Sequence, residues 1–377
     1  MKYISTILAL FAAASVFAQE NPEPTGTPAL LVTANGKQAR VNLESMADGN
    51  LTFAAGSRSM TVPSDKIASL KFSMTKPEFD FFREEGIISD EEIAGIYNRE
   101  DLDRAQKLEE IFKTCLGNIE KLYNAADYAA TIAAVEPLMK DRGQFMAIEN
   151  NLDDYYIMLM ESYRSAGDLA QAKARATVLL QSEDNEKVVL AKACLALIAI
   201  ATDDFATAES LAAELDSEAA KLYLQACLLR AKDEPKAAFE TVTTIIAEHG
   251  NDMEWLPRTE LMSAYLYLDM AGTNSVITTN SAVTTARQVK NMYAGSKVAG
   301  DAKKLWASLG GEALEAKEKA AKAAVAAAKA KQAAEAKARR EAEREAKRLA
   351  KAKAEAEAAA AAKAATETNT TTAVESE

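Results

Sequence analysis

Histidine and cysteine are almost missing from this chain: His249 is its single histidine, and Cys115, Cys194 and Cys227 are its three cysteines in 377 residues. No His/Cys/Asp grouping has metal-ligand spacing. His249 ends the stretch IIAEHG, where an imidazole interacts favourably with a helix C-terminus, so a capping role is expected. An odd number of cysteines, each within an apolar helical stretch, excludes a dense disulfide framework. Buried thiols are the expectation, with a Cys194–Cys227 bridge between neighbouring hairpins left open. No G-x-x-x-x-G-K phosphate loop or G-x-S-x-G elbow occurs. Ser73-Met74-Thr75-Lys76 fits S-x-x-K, but the companion motifs S-D-N and K-T-G of serine acyl-transfer enzymes are absent. Beyond the N-terminus, no apolar run approaches the roughly 20 residues of a membrane span. These absences predict a protein that is not an enzyme, uses no cofactor or metal, and has no integral membrane segment.

The N-terminus MKYISTILALFAAASVFAQE has one lysine, an uncharged apolar stretch and the small-residue pattern Val16-Phe17-Ala18. It reads as a signal peptide (1–18) cleaved after Ala18, which places the mature chain in the periplasm or outside the cell. No cysteine follows the site, so no lipid anchor is expected there. The net charge is −12; residues 312–365 contain 14 basic and 9 acidic side chains and three more acids follow, so the first 311 residues carry a net −14. An acidic body argues against nucleic acid as a partner, because phosphate affinity needs a basic docking face.

Composition divides the remainder into a small β domain (19–75), a helical region (78–310), a charged Ala-rich helix (312–365) and a polar tail (366–377) expected to be disordered. In the first, ALLVT, ARVNLE, NLTFA, SMTVP and IASLKF alternate in hydrophobicity. The turns between them include Asn35-Gly36 and Asp48-Gly49, which supply the positive φ of tight hairpins. Five short strands predict a small SH3-like barrel or rolled meander. It would serve either as a peptide- or envelope-binding module or as a cap on the first helix of the region that follows.

Four related phrases, AADYAAT, AGDLAQA, TDDFATA and KDEPKAA, recur within the helical region. Their aligned residues Tyr128, Leu169, Phe205 and Pro235 are spaced 41, 36 and 30 apart. Large residues Tyr156, Leu159 and Tyr163 precede Ala172; Leu195, Ala196 and Ala199 precede Ala208; Leu222, Ala226 and Leu229 precede Ala238. This arrangement resembles the tetratricopeptide (TPR) repeat, with its roughly 34-residue period of paired helices. The resemblance departs at Met160, Lys192 and Thr131, where smaller or aromatic residues belong, and in the 125–139 segment Val135 and Pro137 look like a second helix and its end. It implies a mainly α fold, an α-solenoid whose inner face forms a groove. Carried over position by position, the groove residues are Asp154, Ile157, Glu161 and Arg164 in one hairpin, Leu190, Ala193, Leu197 and Ile200 in the next, and Ala220, Tyr223, Cys227 and Arg230 in the third. Such a groove, with Arg164 and Arg230 at its edges, would take an amphipathic or acidic-ended segment. The segment VVLAKACLALIAI (188–200) is apolar all round, which also suits burial within the chain. Further helices are expected at 76–82, at 89–98 behind a Ser89–Glu92 capping box, and at 258–270, 281–293 and 297–309.

Residues 312–365 contain no Pro or Gly and consist mostly of strong helix formers, predicting a long single helix of about 80 Å. Pairs such as Glu335–Arg339 and Glu343–Lys347 stabilise it. Its large apolar residues, Leu314, Val325 and Leu349, are too few for a coiled-coil seam of sustained heptads, although alanine leaves a weak one open. The stretch resembles the Ala/Lys/Glu-rich central helix of the TolA family of envelope-bridging proteins. The functional expectation is an exported protein–protein interaction adaptor binding a peptide or helix of an envelope or secretion component. The alternative is a structural envelope spacer or oligomerising rod.

Overall fold

The computed structural model describes residues 26–56, 58–149, 152–271 and 275–374. The signal-peptide reading lies outside the described residues. The chain divides into two compact units, Met1–Leu309 and Gly310–Glu377.

The first unit begins with five antiparallel strands, β1 (Thr27–Thr33), β2 (Gln38–Ala47), β3 (Asn50–Ala55), β4 (Arg58–Pro63) and β5 (Ile67–Phe72), in the order β4-β3-β2-β1-β5. The expected turns are present: Gly36 has φ 79°, and Asp48 and Gly49 have φ 50° and 70°, the two left-handed residues of a two-residue hairpin. The expected barrel is not closed, since β4 and β5 stand at opposite edges. The physical reason is that helices cover the apolar face. Leu31, Val41, Leu43, Leu51, Phe53 and Leu70 share one core with Phe79, Phe82, Ile111, Phe112, Phe145 and Met146. Strand β4 contributes no buried side chain.

Thirteen helices follow in this unit among the described residues: α1 (Lys76–Glu84), α2 (Asp90–Tyr97), α3 (Arg104–Asn124), α4 (Tyr128–Met146), α5 (Leu152–Ala166), α6 (Leu169–Leu179), α7 (Asn185–Ala201), α8 (Phe205–Ala213), α9 (Glu218–Ala231), α10 (Pro235–Glu248), α11 (Trp255–Asp269), α12 (Ser275–Met292) and α13 (Lys297–Ser308). The capping box before α2 is formed, with Glu92 N donating to Ser89 Oγ over 3.2 Å and Ser89 N donating to Glu92 Oε2 over 2.9 Å. His249 follows α10 directly, its backbone N–H bonding Ile245 O.

The four repeated phrases all form the same turn. In each, one residue takes positive φ, namely Ala126, Gly167, Asp203 and Asp233. The next residue's N–H reaches back to the earlier helix: Asp127 to Leu122 O, Asp168 to Tyr163 O, Asp204 to Ala199 O and Glu234 to Leu229 O, all at 2.8–2.9 Å. That is the long bond of a Schellman ending. The three aspartates then cap the following helix, accepting from the backbone N–H of Ala130, Gln171 and Thr207. One short phrase therefore stops a helix, turns the chain and starts the next helix. At the crossings Ala172, Ala208 and Ala238 are fully buried, and their missing bulk lets the paired helices approach.

Two elements depart from expectation. Helix α4 runs through Pro137, although proline costs an interior helix about 3 kcal/mol. The turns beyond it bury Leu138, Arg142, Phe145 and Met146 against the sheet region, which offsets that cost. Helix α12 begins at Ser275, six residues before its predicted start.

The second unit is the helix α14 (Gly311–Val374), which extends nine residues past 365 into the threonine-rich segment. Nearly all its described side chains are exposed. Among the described residues no helix is long and apolar enough to cross a membrane.

Candidate functional site

The alternate helices α5, α7, α9 and α11 pack side by side and line a common cavity of about 840 Å³. This is within the range of small-ligand sites. Helix α13 then returns to pack on α3. Lys304 Nζ donates to Ala126 O over 2.5 Å, and Tyr128 Oη donates to Asp301. The trough expected along the hairpins is thereby bounded on one side by α13, whose Lys297, Val298 and Asp301 line the cavity.

Of the twelve candidate groove residues, Arg164, Leu197, Ile200, Tyr223, Cys227 and Arg230 line the cavity. The others do not. Leu190, Ala193 and Ala220 belong to a core that includes Trp255, whose ring packs tilted against Tyr223 with centroids 5.4 Å apart. Ile157 packs against the α6–α7 core. Asp154 is exposed and pairs with Lys187 at 3.0 Å. Glu161 is buried, with its Oε1 2.8 Å from Arg258 Nη1, its Oε2 3.8 Å from Lys297 Nζ, and a hydrogen bond from Tyr123 Oη. Burial pushes its carboxyl up, but Arg258, Lys297 and Tyr123 together hold it well below the ordinary range. It is a structural strut joining α3, α5, α11 and α13.

The repeat alignment missed Arg258, Met262, Tyr265 and Asp269 on α11, and Lys297 and Asp301 on α13. The signal for α11 is in its spacing: positions 258, 262, 265 and 269 follow i, i+4, i+7, i+11 along one helix face.

The lining holds four cations, three of which are neutralised. Arg230 Nε is 2.5 Å from Asp269 Oδ2, with its guanidinium 5.0 Å from the Tyr265 ring centroid. Arg258 pairs with Glu161 and with Glu254 at 2.5 Å, and Lys297 pairs with Asp301 at 3.0 Å. The Arg164 side chain makes no hydrogen bond or ion pair among the described residues, yet it lines the same cavity, half-buried. Burial pushes the Cys227 thiol up to about 12, against the hydrogen bond from Tyr223 and the nearby Arg164 and Arg230, and pushes Cys194 up to about 11. Cys115, Cys194 and Cys227 are all free and buried, so the Cys194–Cys227 bridge is not formed. Among the described residues no group of three or more His, Cys, Asp or Glu could hold a metal ion.

No protein-family model, curated protein or solved structure matches the chain.

Proposed function

We propose that this protein is an exported interaction adaptor, a tetratricopeptide-like hairpin array whose cavity takes the acidic end of a peptide or helix from an envelope or secretion component. The observation that supports this reading is Arg164. Beside three neutralised cations, its guanidinium keeps its donors free, and an arginine fork matches a carboxylate in a bidentate manner. Leu197, Met262 and the rings of Tyr223 and Tyr265 supply apolar contact for the residues that precede such an end. With α13 along one side, the cavity suits a chain end better than a long helix laid lengthwise. The buried alanines Ala172, Ala208 and Ala238 favour the tetratricopeptide assignment. The open β sheet is then a cap on the first hairpin, and Val16-Phe17-Ala18 favours export to the periplasm.

Fluorescence anisotropy with a panel of labelled peptides, each made with a free and an amidated C-terminal carboxylate, tests this. Free acids ending in Asp or Glu should bind better than their amides, and Arg164→Gln should weaken them about tenfold or more, the worth of one charge-assisted pair. Equal binding of acid and amide forms, or indifference to Arg164→Gln, would reject the adaptor reading.

The exposed 64-residue helix α14 favours a second reading, a TolA-like envelope spacer or oligomerising rod. Deleting 310–377 separates the two: an adaptor keeps its peptide, whereas a spacer loses its placement or self-association.

A further inference from the structure

Helix α14 carries its charges unevenly around its axis. At 3.6 residues per turn, Lys337, Arg340, Arg344, Lys347, Arg348 and Lys351 fall within a sector of about 100°. Lys319, Lys322 and Lys329 extend the same sector towards the N-terminus, giving a stripe about 48 Å long at 1.5 Å per residue. Between 319 and 351 the acids Glu335, Glu341, Glu343 and Glu345 all project outside it. Of the large apolar residues, Leu349 lies on the far side and Leu314 and Val325 fall singly on one flank outside the stripe, all exposed. Of the nine cations, Lys337, Lys347 and Lys351 each have a glutamate within 3.9 Å one helical turn away; the other six have no ion pair among the described residues.

We infer that this stripe is a docking surface for an anionic phospholipid bilayer, with α14 lying flat along the headgroup phosphates. Nine cations in one narrow sector of a straight helix can meet a plane all at once, whereas a curved acidic protein would meet only part of such a line. Without an apolar face beside the stripe, the helix rests on the headgroups rather than inserting. Each lysine or arginine near an anionic leaflet adds favourable energy that decays within a Debye length, about 8 Å at physiological salt. Residues 319–351 carry 11 cations and 4 acids, so the surface senses a local net +7 with nine of the cations facing it, not the −12 of the whole chain. This inference is independent of the cavity and of the adaptor reading.

Flotation of the full chain with phosphatidylcholine vesicles, with and without phosphatidylglycerol, tests it. Binding should require phosphatidylglycerol and weaken as salt is raised. The stripe variant R340Q/R344Q/R348Q should bind about a hundredfold more weakly, from three lost cations. The control K331Q/R339Q/K353Q makes the same change in net charge on the opposite side and should retain nearly all binding. Circular dichroism shows that both stay helical, and both keep residues 1–311 intact, so any contribution from the N-terminus is common to them. Equal loss in the two variants, or equal binding to both kinds of vesicle, overturns the proposal. So does stripe-dependent self-association in sedimentation velocity without lipid, which would make a second copy of the chain the occupant, or equally tight stripe-dependent binding to duplex DNA.

Discussion

Arg258 on α11 and Glu161 on α5 lie 2.8 Å apart with both side chains largely shielded from water, although 97 positions separate them in the sequence. Tyr123 and Lys297 complete the cluster, so one carboxylate fixes four helices around the cavity.

Glu161→Gln should destabilise the first unit by about 1 to 3 kcal/mol, because it removes the anion that Arg258 and Lys297 share and leaves them only Glu254 and Asp301. The carboxyl is held below its ordinary 4.5, so its contribution is complete above that pH and is lost as pH falls towards the depressed folded value. Urea unfolding at neutral and acidic pH should therefore show the difference between wild type and Glu161→Gln shrinking as the solution is acidified. A difference that grows on acidification would contradict the assignment.

Gly300 sits where α13 meets the turn after α3. A Cβ there would lie 2.8 Å from Ala125 C and 2.9 Å from Ala126 N, both backbone atoms that cannot rotate away. Gly300→Ala should cost about 1 to 3 kcal/mol as an overpacked contact. It should also raise hydrogen exchange in α13 while sparing α7 and α8.

Arg142 is 1% exposed on its side chain. It donates to Glu78 at 2.5 Å and to Ser73 O at 2.9 Å, and its guanidinium sits 4.2 Å from the Phe112 ring centroid and 5.2 Å from that of Phe72. Arg142→Ala should cost about 3 to 5 kcal/mol. The double variant Arg142→Met with Glu78→Leu should recover part of that loss, as measured by chemical denaturation.

The hairpin turns offer an internal control. Asp204 caps α8, whereas Glu234 makes no side-chain cap before α10. Asp204→Ala should lose about 1 kcal/mol, and Glu234→Ala should change thermal unfolding far less.

Cys115, Cys194 and Cys227 are buried, with thiols pushed above their ordinary value by burial. All three should resist a thiol reagent at neutral pH and react only on addition of denaturant. Fast labelling of the native chain would show that α3, α7 and α9 open readily.

What the residues announced were the local features. Alternation with Asn35-Gly36 and Asp48-Gly49 placed the strands, Ser89 and Glu92 marked a helix start, and the recurring phrase marked four turns whose hydrogen bonds close within six residues. Long-range events left no such mark. Position within a repeat says which face of a helix a residue occupies, but not that Trp255 fills the space beside Leu190, Ala193 and Ala220. Nor does it say that α13 returns to Ala126 across 178 positions. Pro137 misled for a related reason: its local penalty is visible in the sequence, while the burial that outweighs it depends on strands far earlier in the chain, between Thr27 and Phe72. The same holds for the sheet, where pairing is encoded by turns but openness is decided by the helices beneath it.

An open stack of hairpins can gain or lose a unit by duplication or deletion with little harm to its neighbours. Here the last member rests on the first, and Gly300 tolerates no displacement against the backbone of Asn124–Ala126. Copying or removing any hairpin would carry that docking point out of reach. The number of hairpins is thus tied to that one docking point.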